Sequence, residues 1–396
     1  MVNWSLLFRR VTTSGSYLPA VDGLRFLAIT GVIFHHVVGY WTQRAGRTYT
    51  MTTLDQCVAH VIDFGAYGVH LFFVLSGFIL AIPFCKAARG DTPVDPRKYL
   101  SRRVTRLEPP FLLSTILFFA ADVLTGKYSL AEGLPHLWAT LTYLHEIVFG
   151  YGSTINNMTW TLEVEVQFYL LMPLLAPILR ATPLVRRCVL AAAIVFFSLN
   201  GDWLPVEHPR TILRFAQYFT AGILLADLRT SGVVPPSPTR LGDAPGILAI
   251  AGFVCGGVLQ QHHLIVMSMP WLLALLCFSA LYGKTFSQML SWGPVPLIGG
   301  MCYSIYLYHG KTLAVLIHGY LAKHEWLGFF TGDVLFVFIV TFPFVVAVGA
   351  FFYLLIEKPC MAPDWPARLV RRFRGRPGAI GEEPKRRHLI QRTADR

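Results

Sequence analysis

The chain has 396 residues, 54% of them hydrophobic and only 14% charged, with a mean hydropathy of +0.51 and a formal net charge of +12. A soluble domain carries roughly 25% charged residues, so this balance excludes that class and describes an integral membrane protein. The seven cysteines (Cys57, Cys85, Cys188, Cys255, Cys277, Cys302 and Cys360) are scattered, mostly inside apolar runs and without a C-x-x-C pair, which argues against a disulfide framework and against a zinc site.

Several apolar runs approach the length of about 20 residues that a helix needs to cross a hydrocarbon core about 30 Å thick. The fold class that follows is all-α, a polytopic transmembrane helix bundle. Residues 1–20 hold no uninterrupted apolar core followed by a small-residue cleavage site, so the first helix is expected to stay in the membrane. In chain order, hydropathy places about ten spans near 22–41, 64–85, 109–124, 163–180, 187–204, 210–226, 245–259, 264–282, 295–321 and 329–357. The stretch 134–149, LPHLWATLTYLHEIVF, is left out of the ten as a segment able to lie along the interface instead of crossing.

Lysine and arginine test the orientation, because cytoplasmic loops carry them in excess. With the N-terminus inside, 26 of the 34 fall in cytoplasmic segments, and five (Arg44, Arg47, Lys127, Arg210 and Lys323) fall outside. Arg25, Arg214 and Lys311 fall within spans. Both termini are therefore expected to be cytoplasmic, and the positive charge meets anionic membrane lipid and requires no nucleic acid. Residues 1–360 read as the membrane domain. Residues 361–396 are basic, polar and proline-bearing, and read as a cytoplasmic tail, disordered and without room for a second catalytic domain.

Ionisable groups inside spans are costly and mark a pathway or a reactive site. In the first span, DGLRFLAITGVIFHH, Arg25 and His36 are separated by about 16 Å along the axis, and eleven residues turn the helix to within about 20° of a whole number of turns. His35 is about 80° off that stripe. Other spans bring His70, Glu165, His309 and Lys311 to the outer half, with Glu165 just below the interfacial Trp160, and Arg214 approaches from the outer end of the sixth span. Two imidazoles and a carboxylate at similar depth are the parts of a proton-transfer site. At the cytoplasmic side, RKYLSRRVTRLEPPF places Arg103 and Arg106 three apart on one helical face. They suit phosphates, and Arg25 adds to them at the N-terminal end of the first helix.

Taken together, these stretches resemble the membrane acyltransferase 3 family over about residues 18 to 360. LPAVDGLRFLAITGVIFHH is similar to its first-helix signature, an arginine followed by ten residues and a histidine, here Arg25 and His36. GVHLFFVLSGFIL resembles its second-helix motif around Ser76 and Gly77, and RRVTRLEPPF its R-x-x-R-x-x-P element, here Arg103, Arg106 and Pro109. WTLEVEVQFYLLMP resembles the family motif that gives Trp160, Glu165, Phe168 and Tyr169, and YSIYLYH and EKP match the last two helices. His70 stands where members often carry an acid, Val166 where a second glutamate is common, and Glu163 where a small residue is usual.

The resemblance implies an O-acyltransferase of the bacterial inner membrane that takes acyl-CoA, usually acetyl-CoA, from the cytoplasm as co-substrate, with no permanently bound cofactor or metal. It assigns Arg25, Arg103 and Arg106 to the donor and His36 and Glu165 to catalysis, supported by Asp22, Ser76, Trp160, Tyr169, Tyr303 and His309. His36 as general base would deprotonate the acceptor hydroxyl, with Glu165 orienting its imidazole. An acyl-imidazole intermediate is equally allowed. The expected acceptor is a hydroxyl of a surface glycan or its lipid-linked precursor, and a macrolide-type or other small glycoside is the alternative. From other classes, a glycan or lipid transporter is opposed by the absence of an inverted repeat, and a heme-binding bundle is suggested only by the 13 histidines.

Overall fold

The computed structural model describes residues 8–10, 17–45, 49–200, 210–234, 237–259, 262–324, 326–362, 365, 366 and 368. The expected tail lies almost wholly outside the described residues. Among them the chain is all-α, with one isolated β-bridge between Thr239 and Gly283. Among the described residues six helices are long and apolar enough to cross a membrane, and the remaining expected spans are shorter, less apolar or interrupted.

Helix α1 covers Pro19–Ala45. Thr52 and Asp55 close a capping box that opens α2 (Thr53–Asp63), which runs through one tight turn into α3 (Gly68–Ala87). Helix α4 (Pro96–Leu124) begins well before residue 109, because the Asp95 carboxylate caps the free N–H groups of Arg97 and Lys98 and Pro96 sits where a missing N–H does no harm. The arginine cluster is therefore helical. Pro109 cannot donate to the carbonyl of Thr105, and the indole N–H of Trp365 donates to that carbonyl instead, at 2.9 Å.

The 134–149 stretch folds back along α4. Gly126, at φ +70°, turns the chain after α4, and α5 (Leu130–Leu141), capped by Ser129 and Glu132, runs back beside it. Tyr143 then stacks on Phe111 with ring centroids 4.6 Å apart and donates to the Glu108 carboxylate at 3.0 Å. Glu108 to Leu124 is about 24 Å of helix. This hairpin therefore re-enters the bundle, with Tyr143 held in the left-handed region at φ +59° by its ring and hydroxyl contacts, and returns as α6 (His145–Phe149).

Helices α7 (Trp160–Leu175), α8 (Pro183–Asn200), α9 (Ile212–Thr230), α10 (Ala244–Leu259), α11 (His262–Tyr282) and α12 (Lys284–Leu290) follow. The expected ninth span is broken into α13 (Val295–Gly300), a turn at Met301, and α14 (Cys302–Leu313), which widens into a π turn over Ala314–His318. Helix α15 (Phe330–Phe352) widens in the same way over Tyr353–Glu357. The core joins α3, α7 and α9 through Phe73, Phe168 and Phe219, whose rings stack at 4.3 to 4.8 Å. A second cluster joins α1, α14 and α15 around Ile33, Ile305 and Val337. Helices α3 and α9 touch backbone to backbone: a Cβ on Gly77 would meet the carbonyl of Phe219, and one on Gly222 that of Val74.

Candidate active site

Helices α1, α3, α4, α7 and α14 enclose an internal cavity. Helix α1 runs from Arg25 toward His36 and α7 from Thr161 toward Tyr169, and the His36 end of α1 meets the Thr161 end of α7 through α14, so the two are antiparallel. One end of the cavity is basic. Arg25, Arg103 and Arg106 all line it, joined by Arg10 from the segment before α1. The Asp22 carboxylate, one turn from Arg25 on α1 and nearly fully buried, accepts from Arg25 and, at 3.4 Å, from Arg10. Among the described residues Arg103 and Arg106 form no ion pair, and Arg103 Nε is buried without a hydrogen-bond partner. Those two guanidiniums face the cavity without a direct ion-pair partner, with the Glu165 and Glu357 carboxylates as their nearest anionic neighbours on its walls, an arrangement suited to an entering anion.

Midway along the cavity the Ser76 hydroxyl of α3 donates to the Glu165 carboxylate, and Tyr169, one turn further along α7, stands beside it. The Tyr303 hydroxyl donates to the carbonyl of Leu107 at 2.9 Å, fixing α14 against α4. Glu357 lines the same space and accepts from the backbone N–H and hydroxyl of Ser304 at 3.1 and 2.6 Å. At the far end Tyr306 accepts from Thr161 at 2.9 Å and donates to the carbonyl of Met158 at 3.0 Å.

The imidazoles stand one ring beyond that end. The His309 ring lies 5.4 Å from Tyr306 and 5.2 Å from His36, centroid to centroid. His309 Nδ1 is 2.6 Å from the carbonyl of Tyr306, which makes Nδ1 the protonated nitrogen and leaves Nε2 as an acceptor, buried and without a hydrogen-bond partner. His35 turns the other way, with Nδ1 3.9 Å from the exposed Asp63 carboxylate. Among the described residues no three of His, Cys, Asp and Glu converge as metal ligands would.

Of the residues singled out from the sequence, Arg25, Ser76, Arg103, Arg106, Glu165, Tyr169 and Tyr303 share one cavity, with Asp22 behind Arg25 and with His36 and His309 paired beyond it. One expected contact is corrected. Glu165 does not orient His36; its carboxylate is engaged by Ser76 and faces the end of the cavity that holds Arg103 and Arg25, away from the His36 end of α1. Trp160 is outside the cavity, packed on Phe215 and covered by the Arg210 guanidinium 4.6 Å from its centroid. His70 sits among Tyr67, Phe73, Phe215 and Tyr218, and Lys311 pairs with Asp122 at 2.7 Å, an α4–α14 tie. Arg10, Tyr306 and Glu357 had not been singled out. Tyr306 falls one turn before His309 within YSIYLYH and Glu357 opens EKP, so the motifs pointed near them, whereas Arg10 carried no signal beyond its charge.

A family model described as an acyltransferase domain matches residues 18–354. The exopolysaccharide production protein ExoZ of Rhizobium meliloti is 26% identical over 326 residues, 80% of this chain and 96% of that protein. Peptidoglycan O-acetyltransferase OatA of Listeria monocytogenes is 24% identical over 334 residues, 76% of this chain and 50% of that protein. O-acetyltransferase OatA of Staphylococcus aureus is 24% identical over 344 residues, 79% of this chain and 53% of that protein. The chain thus spans about half the length of these two O-acetyltransferases and nearly all of ExoZ. No solved structure matches the chain.

Proposed function

Because the chain belongs to the acyltransferase 3 family of membrane proteins, we propose that it moves an acyl group, most simply acetyl, from cytoplasmic acyl-CoA to a hydroxyl of a glycan or lipid-linked saccharide. The supporting observation is the single cavity that carries unpaired Arg103 and Arg106 at one end and reaches Tyr306, beside the His309–His36 pair, at the other. The separation of the two groups suits an extended donor. Arg25 and His36 are about 16 Å apart on one stripe of α1, so a nucleotide held by Arg25, Arg103 and Arg106 would direct a slender thioester arm toward the imidazoles.

In this reading His36 takes the proton of the acceptor hydroxyl as its oxygen attacks the thioester carbonyl. The new C–O bond forms, the C–S bond breaks, and the departing CoA thiolate recovers the proton. His309, with Nε2 free as an acceptor, steadies the protonated form of His36, the role the sequence reading assigned to Glu165. Glu165, with Ser76 and Tyr169, belongs to the wall along which the donor arm lies. Acceptors of the related proteins named for peptidoglycan and exopolysaccharide favour a glycan hydroxyl over a small glycoside.

The test is CoA release by purified protein from acetyl-CoA in the presence of a glycan acceptor, with Arg103→Ala and Arg106→Ala alongside. Both variants should raise the acetyl-CoA requirement, with a smaller difference from wild type at high salt, and leave the acceptor's apparent affinity almost unchanged. A wild-type protein that translocates saccharide without releasing CoA would replace this reading with a transporter.

A further inference from the structure

Arg10 is the only cavity-lining cation among the described residues that comes from outside α1 and α4. Its position is built. Phe8 packs against the α1–α14–α15 core, the carbonyl of Arg9 accepts from the Tyr353 hydroxyl at 3.3 Å, and the Arg9 guanidinium lies 4.4 Å over the Tyr17 ring. These contacts leave the Arg10 side chain, 17% exposed, directed into the basic end of the cavity.

Its charge is only partly balanced. Arg10 shares one carboxylate oxygen of Asp22 with Arg25, and Arg25 holds that oxygen the more closely. Among the described residues Arg106 forms no ion pair; Arg10 is its foremost charged neighbour, the Glu357 carboxylate comes next, and Arg103 and Arg25 stand nearby. Burial first, and the Arg25 charge second, push the Arg10 guanidinium below its ordinary range. Guanidiniums gathered in a poorly hydrated space repel one another, and a ligand that brings several negative charges relieves that repulsion. One phosphate needs no more than Arg103 and Arg106. A donor with separated phosphates would use a further cation on another element.

We propose that Arg10 is a donor-anchoring residue, a guanidinium that faces Arg103 and Arg106 across the mouth of the cavity and binds a phosphate of the acyl donor, with Asp22 orienting it. This rests on the reading of the cavity as an acyl-CoA site and adds to it a residue from a separate segment of the chain. It also gives Asp22 a positioning role, because the same carboxylate that fixes Arg25 aims Arg10.

The experiment compares acetyl-CoA with S-acetylpantetheine, which keeps the thioester arm and lacks every phosphate, using the full chain in detergent as wild type, Arg10→Gln and Arg103→Gln. A charge-assisted hydrogen bond lost at a partly buried site predicts a rise of about tenfold or more in KM for acetyl-CoA in Arg10→Gln, a smaller change in kcat, and an equal fall in preference for acetyl-CoA over S-acetylpantetheine. Arg10→Lys should recover part of that preference. A structural role would lower turnover of both donors together and leave the preference unchanged, which would overturn the proposal. Arg10→Met, which retains the apolar stem, carries the same comparison where Arg10→Gln fails to accumulate. If wild type responds to neither donor, the acyl-CoA reading fails and this proposal with it. If Arg103→Gln loses the preference and Arg10→Gln keeps it, only the assignment of Arg10 fails.

Discussion

Two neighbouring histidines separate burial from position. His35 and His36 have nearly the same depth on α1, yet His36 packs against His309 while His35 is directed at the exposed Asp63. His36→Ala should lower single-turnover acetyl transfer by about 10² to 10⁴, the usual worth of a general base, with membrane abundance and donor binding retained. His35→Ala should lose far less in the same assay. An active His36→Ala protein would remove the imidazole pair from the mechanism. Glu165 shows the converse case, a carboxylate at the expected depth whose partners, Ser76 and Tyr169, place it on the cavity wall and away from His36.

At the scale of elements, close approach and buried charge hold the helices in place. Gly77 and Gly222 let α3 and α9 touch at the backbone, so Gly77→Ala or Gly222→Ala must push the helices apart. Each should lower the melting temperature in detergent and reduce activity with it. Asp227 of α9, fully buried, accepts from Arg89 just past α3 and from Arg186 and Arg187 of α8 at 2.5, 2.5 and 2.9 Å. Asp227→Ala leaves three guanidiniums without their anion. The expected loss is about 3 kcal/mol, at the low end for a buried ion pair because Arg89 and Arg187 are partly exposed, and thermal unfolding of the purified variant measures it. In the re-entrant hairpin, Tyr143→Phe keeps the stack on Phe111 and loses only the hydrogen bond to Glu108, so it should cost about 1 kcal/mol. Tyr143→Ala, which loses both, should cost more in the same measurement.

For the whole molecule, an all-α bundle of the acyltransferase 3 family has a cavity with arginines at one end and, one ring beyond its other end, the His309–His36 pair. That polarity has meaning only with respect to the membrane. Reporters fused after Arg103, after Thr230 and at the C-terminus should behave as cytoplasmic, and a cysteine introduced near Gly46 should be labelled from outside. The excess of lysine and arginine in the segments assigned to the cytoplasm motivates the expectation. A periplasmic signal from the C-terminal fusion would require an odd number of spans.

The membrane class, the helical fold and the grouping of Arg103 with Arg106 are legible in the sequence because hydropathy, helical spacing and local charge depend on neighbours in the chain. The Arg25–His36 stripe is legible for the same reason, since one helix fixes both azimuths. Partner choice is not local. Whether Glu165 meets His36 or Ser76 depends on how α7 is rotated against α1 and α3, and whether residues 134–149 cross, lie flat or re-enter depends on what Tyr143 finds in α4. The break at Met301, where Gly299 meets the α1 backbone at Asp22, and the placement of Arg10, next to an Arg9 carbonyl held by Tyr353, likewise involve contacts between segments far apart in the chain. Sequence determined which chemistry this protein carries, and only the packing of helices decided which groups face one another, because side-chain partners are set by the relative rotation and depth of elements that hydropathy alone leaves free.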